Sequence, residues 1–154
     1  MEAVEVNGVR RPHEVEVALR WGDMDVLGHV NNVQVARLFE EARVRAMTDW
    51  SEGTVRPTPM VVARQEIEFA APLYYSVEPA CCQVWVSRIG GKSFDFSCAL
   101  RSATGELSAL CETTLTALDA DSGRPVELPA ALLTALRANV GEPAPFRRRR
   151  TATV

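Results

Sequence analysis

Histidine is scarce in this chain: 154 residues hold only two, His13 and His29. Neither has a second ligand residue at metal-binding spacing, so no zinc site is expected, and no cofactor. The four cysteines, Cys81, Cys82, Cys98 and Cys111, lack C-x-x-C spacing and sit in apolar, strand-like runs. That pattern predicts reduced, buried thiols in a cytoplasmic protein rather than a disulfide framework. There is no basic excess, since 17 basic residues face 20 acidic ones for a net charge of -3, and a nucleic-acid partner is not expected. No run is long and apolar enough to span a bilayer, and "MEAVEVNGVRRPHEVEV" lacks the apolar centre of a signal peptide. A G-x-S-x-G elbow and a P-loop are both missing, which removes serine-elbow hydrolases and P-loop nucleotide enzymes. Neither a repeat nor an internal linker occurs, so residues 1–140 are expected to form one domain.

What is present suits a globular core: 47% hydrophobic and 24% charged residues. The basic charge is uneven. Setting aside Arg147–Arg150 leaves 13 basic residues against 20 acidic ones. The segment 141–154, "GEPAPFRRRRTATV", carries two prolines and little that could pack. It is expected to be a disordered basic tail rather than an anchor for an acidic partner or an anionic surface.

Periodicity gives the elements. "HEVEVALR" alternates, with Val15, Val17 and Leu19 on one face, as a half-buried strand does. From Asn31 to Trp50 the period becomes helical: Val35, Leu38, Phe39, Ala42, Ala46 and Trp50 fall on one stripe, opposite Arg37, Glu41, Arg45 and Thr48. Asn31 or Asn32 can cap this helix, and "SEGTVRPTP" stops it. The period of two then returns in "VVARQEIEFA", "VEPACCQVWVSRI", "KSFDFSCALR" and "ELSALCETTLTALDA", with Gly90-Gly91 as a hairpin turn. Pro129 opens a short helix carrying Leu132, Leu133 and Leu136. One long helix cannot cover both faces of a parallel sheet, so the class is α+β, with an antiparallel sheet wrapped around that helix. Its remaining face and edges need cover, and another subunit is the simplest source.

Between the first strand and the helix lies "WGDMDVLGHVNN", with two carboxylates, a histidine and two asparagines. Asp, Asn and Gly are ordinary turn formers, and Asp23 is expected to shape or cap the turn. The same residues also suit acyl-transfer chemistry. A helix start offers free N–H groups and a positive dipole end for a developing oxyanion, and a loop carboxylate can attack a carbonyl or deprotonate water. Read as D-x-D-x-x-G-H-V-N-N, the motif resembles the hot-dog-fold acyl-CoA thioesterases, in the branch of 4-hydroxybenzoyl-CoA thioesterase. The later segments "IEFAAPLYYSVEPACCQVWVSRIGGKSF" and "ALDADSGRPVELPAAL" look like that family's strands and closing helix, so the likeness covers about residues 13–138.

The resemblance implies a hot-dog fold of about five strands around one central helix. It implies hydrolysis of an acyl-CoA or acyl-carrier-protein thioester, in a homodimer or homotetramer with the site at the subunit interface. Asp25 matches the catalytic carboxylate, the backbone N–H of Asn32 the carbonyl polariser, and Gly28 the turn glycine. His29 and Asn31 match residues given catalytic or carboxylate-orienting roles, although His29 could equally serve only to bond the loop. Val35 stands where the family usually has Tyr, which alters a pocket wall. Glu40 and Glu41 are the rival carboxylates on the helix; both read as solvated charges. Arg88 and Lys92 flank the glycine hairpin and are candidates for meeting CoA phosphates. A hot-dog dehydratase and a non-catalytic acyl-binding module are the alternatives.

Overall fold

The computed structural model describes residues 12–52 and 58–147. Five strands form one antiparallel sheet: β1 (His13–Val17), β2 (Met60–Phe69), β3 (Ala80–Ile89), β4 (Ser93–Arg101) and β5 (Leu107–Ala117), in the order β1-β3-β4-β5-β2. Helix α1 (Asn32–Trp50) lies against the inner face, and α2 (Ala130–Arg137) follows β5. This is the hot-dog arrangement expected from the sequence. The end of α1 falls where "SEG" begins, whereas the rest of the stop signal, 53–57, lies outside the described residues. Among the described residues no helix is long and apolar enough to cross a membrane.

Alternation along the strands builds the core. Phe94, Phe96, Cys98 and Leu100 of β4, with Val84 and Val86 of β3 and Cys111 of β5, meet Leu38, Phe39, Ala42 and Ala46 of α1. Fully burying each large apolar side chain is worth about 1.5–3 kcal/mol. One helix residue escapes the apolar pattern: Arg43 is buried and donates to Thr113 Oγ1 at 3.3 Å. All four cysteines are free, with Cys82, Cys98 and Cys111 buried and Cys81 partly so. Burial pushes the Cys111 thiol up to about 11, so this group stays protonated and inert at neutral pH.

The outer face departs from expectation. The segment after α2 is not a loose tail from residue 141. It rounds the sheet where β1 ends its pairing with β3, and Val86 bonds both Asn139 O and Gly141 N. It then crosses the outer face strand by strand. The Trp85 indole (β3) donates to Glu142 O at 2.6 Å. Ser97 Oγ (β4) accepts from Ala144 N at 3.2 Å. Phe146 packs with Trp85, Ala99 and Leu110 in a second apolar cluster, and Glu68 (β2) accepts from Arg147 N at 3.0 Å. Trp85, Ala99 and Leu110 would otherwise present an apolar patch to water, and the strap buries it. Part of the cover assigned to another subunit thus comes from the chain itself. Residues 148–154 lie outside the described residues.

Candidate active site

The loop between β1 and α1 is held by backbone bonds at both ends. A single 3-10 turn, Trp21–Asp23, leads into a short hairpin in which Met24 bridges Val30 and Asp25 N donates to His29 O at 2.9 Å. Gly28 closes its tip with φ +79° and donates to Asp25 O at 3.0 Å. That conformation suits glycine because it has no Cβ. Val30 N then donates to Leu73 O at 2.7 Å, docking the loop onto the chain after β2. The Asp25 carboxylate does two jobs. Its Oδ1 accepts from Leu27 N at 2.9 Å, an Asx turn, while Oδ2 has no partner among the described residues.

At the helix start, Asn31 is the cap: its side chain accepts from Val33 N at 2.9 Å, and its carbonyl accepts from Gln34 N and Val35 N. The N–H of Asn32 meets no acceptor among the described residues. Asp25, His29 and Asn32 line one open pocket of about 320 Å³ with Val30, Val35, Phe69–Leu73, Ser108 and Ala109. A carboxylate with an unoccupied oxygen and an unsatisfied helix-start N–H therefore share a mostly apolar cavity. Among the described residues no lysine or arginine lines it.

Asp23 fastens this loop to the helix. It is 1% exposed. Oδ2 accepts from Arg20 N at 2.9 Å and from Arg37 Nη2 at 3.0 Å, and Oδ1 accepts from Arg20 Nε at 3.0 Å. Its carbonyl accepts from Asn31 N at 2.8 Å, the residue that caps α1. Burial pushes the carboxyl up, but the bonds from Arg20 and the Arg37 charge outweigh this and hold it below its ordinary value. A carboxylate lowered in the native state stabilises the fold at pH above its unfolded value, about 3.9, and that contribution is lost as pH falls through the lower native value. Asp23→Asn is expected to cost about 2 kcal/mol at neutral pH, the scale of a charged hydrogen bond. Unfolding of both proteins from pH 7 to 2.5 should show the gap shrinking below about pH 4. A gap that stays constant with pH would remove the charge from the explanation.

The structure brings together Asp25, His29, Asn32 and Val35. It gives Asn31 to capping and Gly28 to the turn, and neither lines the pocket. The His29 ring stands edge-on to Tyr74, with centroids 5.2 Å apart. Arg88 and Lys92 are not brought there. Lys92 O bonds Ala117 N, at the opposite end of β5 from pocket-lining Ala109, about 27 Å along the strand. Arg88 is already paired with Asp95 at 2.7 Å. Of the rival carboxylates, Glu41 pairs with Arg37 and Arg45, Glu40 is exposed, and neither lines the pocket. Sequence reasoning missed the opposite wall, Phe69–Leu73 with Ser108 and Ala109; the run "FAAPL", where a strand stops at proline, was its only signal.

Comparison with known proteins agrees with this fold. A family model described as the thioesterase-like superfamily matches residues 19–136. A Thermus thermophilus thioesterase, solved with coenzyme A and zinc, is 32% identical with a TM-score of 0.68, covering 81% of this chain and 91% of its own. Two more distant structures share the fold. A predicted thioesterase from Bacillus stearothermophilus has TM-score 0.75 and 24% identity, over 84% of this chain and 97% of that one. A 1,4-dihydroxy-2-naphthoyl-CoA thioesterase from Synechocystis has TM-score 0.68 and 17% identity, over 82% and 95%. No match was found among curated proteins. On the family model and the Thermus likeness together, this chain belongs to the thioesterase-like superfamily.

Proposed function

We propose that the protein hydrolyses acyl-CoA thioesters, with Asp25 as nucleophile or general base and the Asn32 N–H polarising the carbonyl. The observation that carries this reading is the pairing of a half-buried carboxylate, one oxygen free, with an unsatisfied helix-start N–H in one pocket. In the nucleophilic route the carboxylate adds to the thioester carbon, the C–S bond breaks and CoA leaves as thiolate. Water then cleaves the resulting anhydride and restores Asp25. In the general-base route water adds directly and Asp25 takes its proton. In both, the tetrahedral oxyanion sits at the start of α1, where the dipole favours negative charge.

Val30, Val35, Pro72, Leu73 and Ala109 favour an apolar or aromatic acyl group. The test is thiol release by the purified protein from a panel of acyl-CoAs, with a 3-hydroxyacyl-CoA included. Formation of the unsaturated product without thiol release would indicate a dehydratase, and neither product would reduce the protein to a binding module. Val35→Tyr should lower kcat/KM for the bulkiest acyl group accepted by about 10-fold or more while sparing the smallest. Equal effects on all acyl groups would remove Val35 from the acyl wall.

The site is proposed to lie between two subunits. Among the described residues the outer edge of β2 is unpaired, with Val61, Val62 and Phe69 exposed, and Val26 and Leu27 stand exposed at the loop tip beside the pocket. An edge of this kind favours pairing with a second copy. Light scattering at micromolar concentration should give at least a dimer; a fully active monomer would contradict this.

A further inference from the structure

We propose that Ser108 sets the acyl preference: its buried hydroxyl hydrogen-bonds an oxygen carried by the acyl group, so the preferred substrate is an oxygenated acyl-CoA rather than a plain hydrocarbon one. This rests on the acyl-CoA reading above. Among the described residues, two buried side-chain polar atoms lack a hydrogen-bond partner, Trp50 Nε1 and Ser108 Oγ. Trp50 closes α1, at the opposite end from the Asn32 N–H. Ser108 is 2% exposed and lines the pocket. A hydroxyl withdrawn from water without a partner is unfavourable, and such groups are rare in native folds. Placed at a pocket, it can be satisfied by what the pocket binds.

The strand register explains why this hydroxyl is left over. β4 and β5 pair as Leu100 with Ala109 and Arg101 with Leu107, so Ser108 is the extra residue of a β-bulge. Bulges re-aim side chains and recur beside active sites. The Ser108 carbonyl accepts from Ala70 N at 2.8 Å and from Ala71 N at 3.2 Å, which pins the residue to the wall after β2. The rest of that wall, Phe69–Leu73 and Ala109, is apolar. The other polar side chains of the pocket, Asp25, His29 and Asn32, belong to the loop and the helix start, where the thioester is placed. Ser108 therefore meets the acyl group and not the reacting carbonyl. A serine hydroxyl offers one donor and two acceptor lone pairs, so it accommodates a hydroxyl or a keto oxygen. A carboxylate does not fit, because among the described residues no lysine or arginine lines the pocket to balance its charge.

The experiment measures kcat/KM for thiol release from acyl-CoAs matched in carbon skeleton: a saturated acyl group with its 3-hydroxy and 3-keto forms, and an aromatic one with and without a ring hydroxyl. Wild type should favour at least one oxygenated form over its plain partner by about 10-fold or more, because the plain group leaves the buried hydroxyl unpaired. The favoured form tells hydroxyl from keto. Ser108→Ala should abolish that preference, with the melting temperature of the free protein unchanged or raised, since the orphan hydroxyl is gone. Ser108→Cys, which keeps the shape but donates only weakly, should behave as the alanine variant does. A wild type without preference, or a preference that survives in both variants, would overturn the inference and leave the thioesterase reading intact, because thiol is still released. A fall in melting temperature in Ser108→Ala would also overturn it, by showing that the hydroxyl is paired within the protein or its assembly. If no acyl-CoA is cleaved, the thioesterase reading fails by itself. Calorimetric binding of an oxygenated acyl-CoA in preference to its plain partner, with the difference lost in Ser108→Ala, would then still uphold the role of Ser108.

Discussion

Asp25→Asn is expected to lower kcat by about 10²–10⁴-fold, roughly 3–5 kcal/mol of barrier, with little change in substrate binding. The substitution keeps the shape and the Oδ1 atom that accepts from Leu27 N, so the Asx turn should survive. What disappears is the charge and basicity of the carboxylate. Folding is therefore not the cause of the loss, and an unchanged melting temperature should accompany it. A covalent nucleophile would cost more than a base, and trapping of an acyl-enzyme in single turnover separates the two. Glu40→Gln and Glu41→Gln should leave kcat near the wild-type value, because neither residue lines the pocket. His29→Ala should cost less than Asp25→Asn, since the ring packs edge-on against Tyr74 and makes no hydrogen bond among the described residues. Near-native kcat in Asp25→Asn with collapse in a helix glutamate variant would move the chemistry onto α1.

Ending the chain at Glu142 should destabilise the protein by about 3 kcal/mol, the cost of uncovering one large aromatic and its contacts. Phe146 and Ala144 are 4% and 0% exposed, and both pack on Trp85, which is itself fully buried. Removing them opens an apolar patch over β3, β4 and β5 and takes the Ala144 N donor from Ser97. For a chain of this length the melting temperature should fall by about 10 °C. Ending at Phe146 instead keeps both side chains and should leave it unchanged. A disordered tail from residue 141 would make the two truncations equally harmless, and that outcome would refute the strap.

The parts legible in the sequence were those set by local pattern. Alternation placed Phe94, Phe96, Cys98 and Leu100 on the inner face, and the 3.6-residue period placed Leu38, Phe39, Ala42 and Ala46 against them. Asn31 as cap and Gly90-Gly91 as turn also follow from local chemistry. What stayed hidden depended on contacts far apart in the chain. "GEPAPF" reads as a loop because two prolines forbid regular structure, yet an irregular segment can pack if a side chain and a few backbone donors find partners. Phe146, the only aromatic residue after Phe96, was the available clue. Arg88 and Lys92 were drawn to the site by their charge, and only the strand register shows that their hairpin lies at the other end of the sheet. The wall Phe69–Leu73 meets Asp25 through Val30 bonding Leu73, a contact that no periodicity announces. Arg43 interrupts the apolar stripe of α1 because Thr113 offers it a buried oxygen.

The central claim is that Asp25 and the Asn32 N–H act on one carbonyl. The most direct measurement is the infrared difference spectrum of an acyl-CoA, labelled with ¹³C at the thioester carbonyl, bound to the slow Asp25→Asn protein. The account predicts a carbonyl stretch shifted to lower frequency than in water, because a hydrogen bond at the helix start draws charge onto the oxygen. A stoichiometrically bound ligand whose carbonyl band stays at its free position would contradict it.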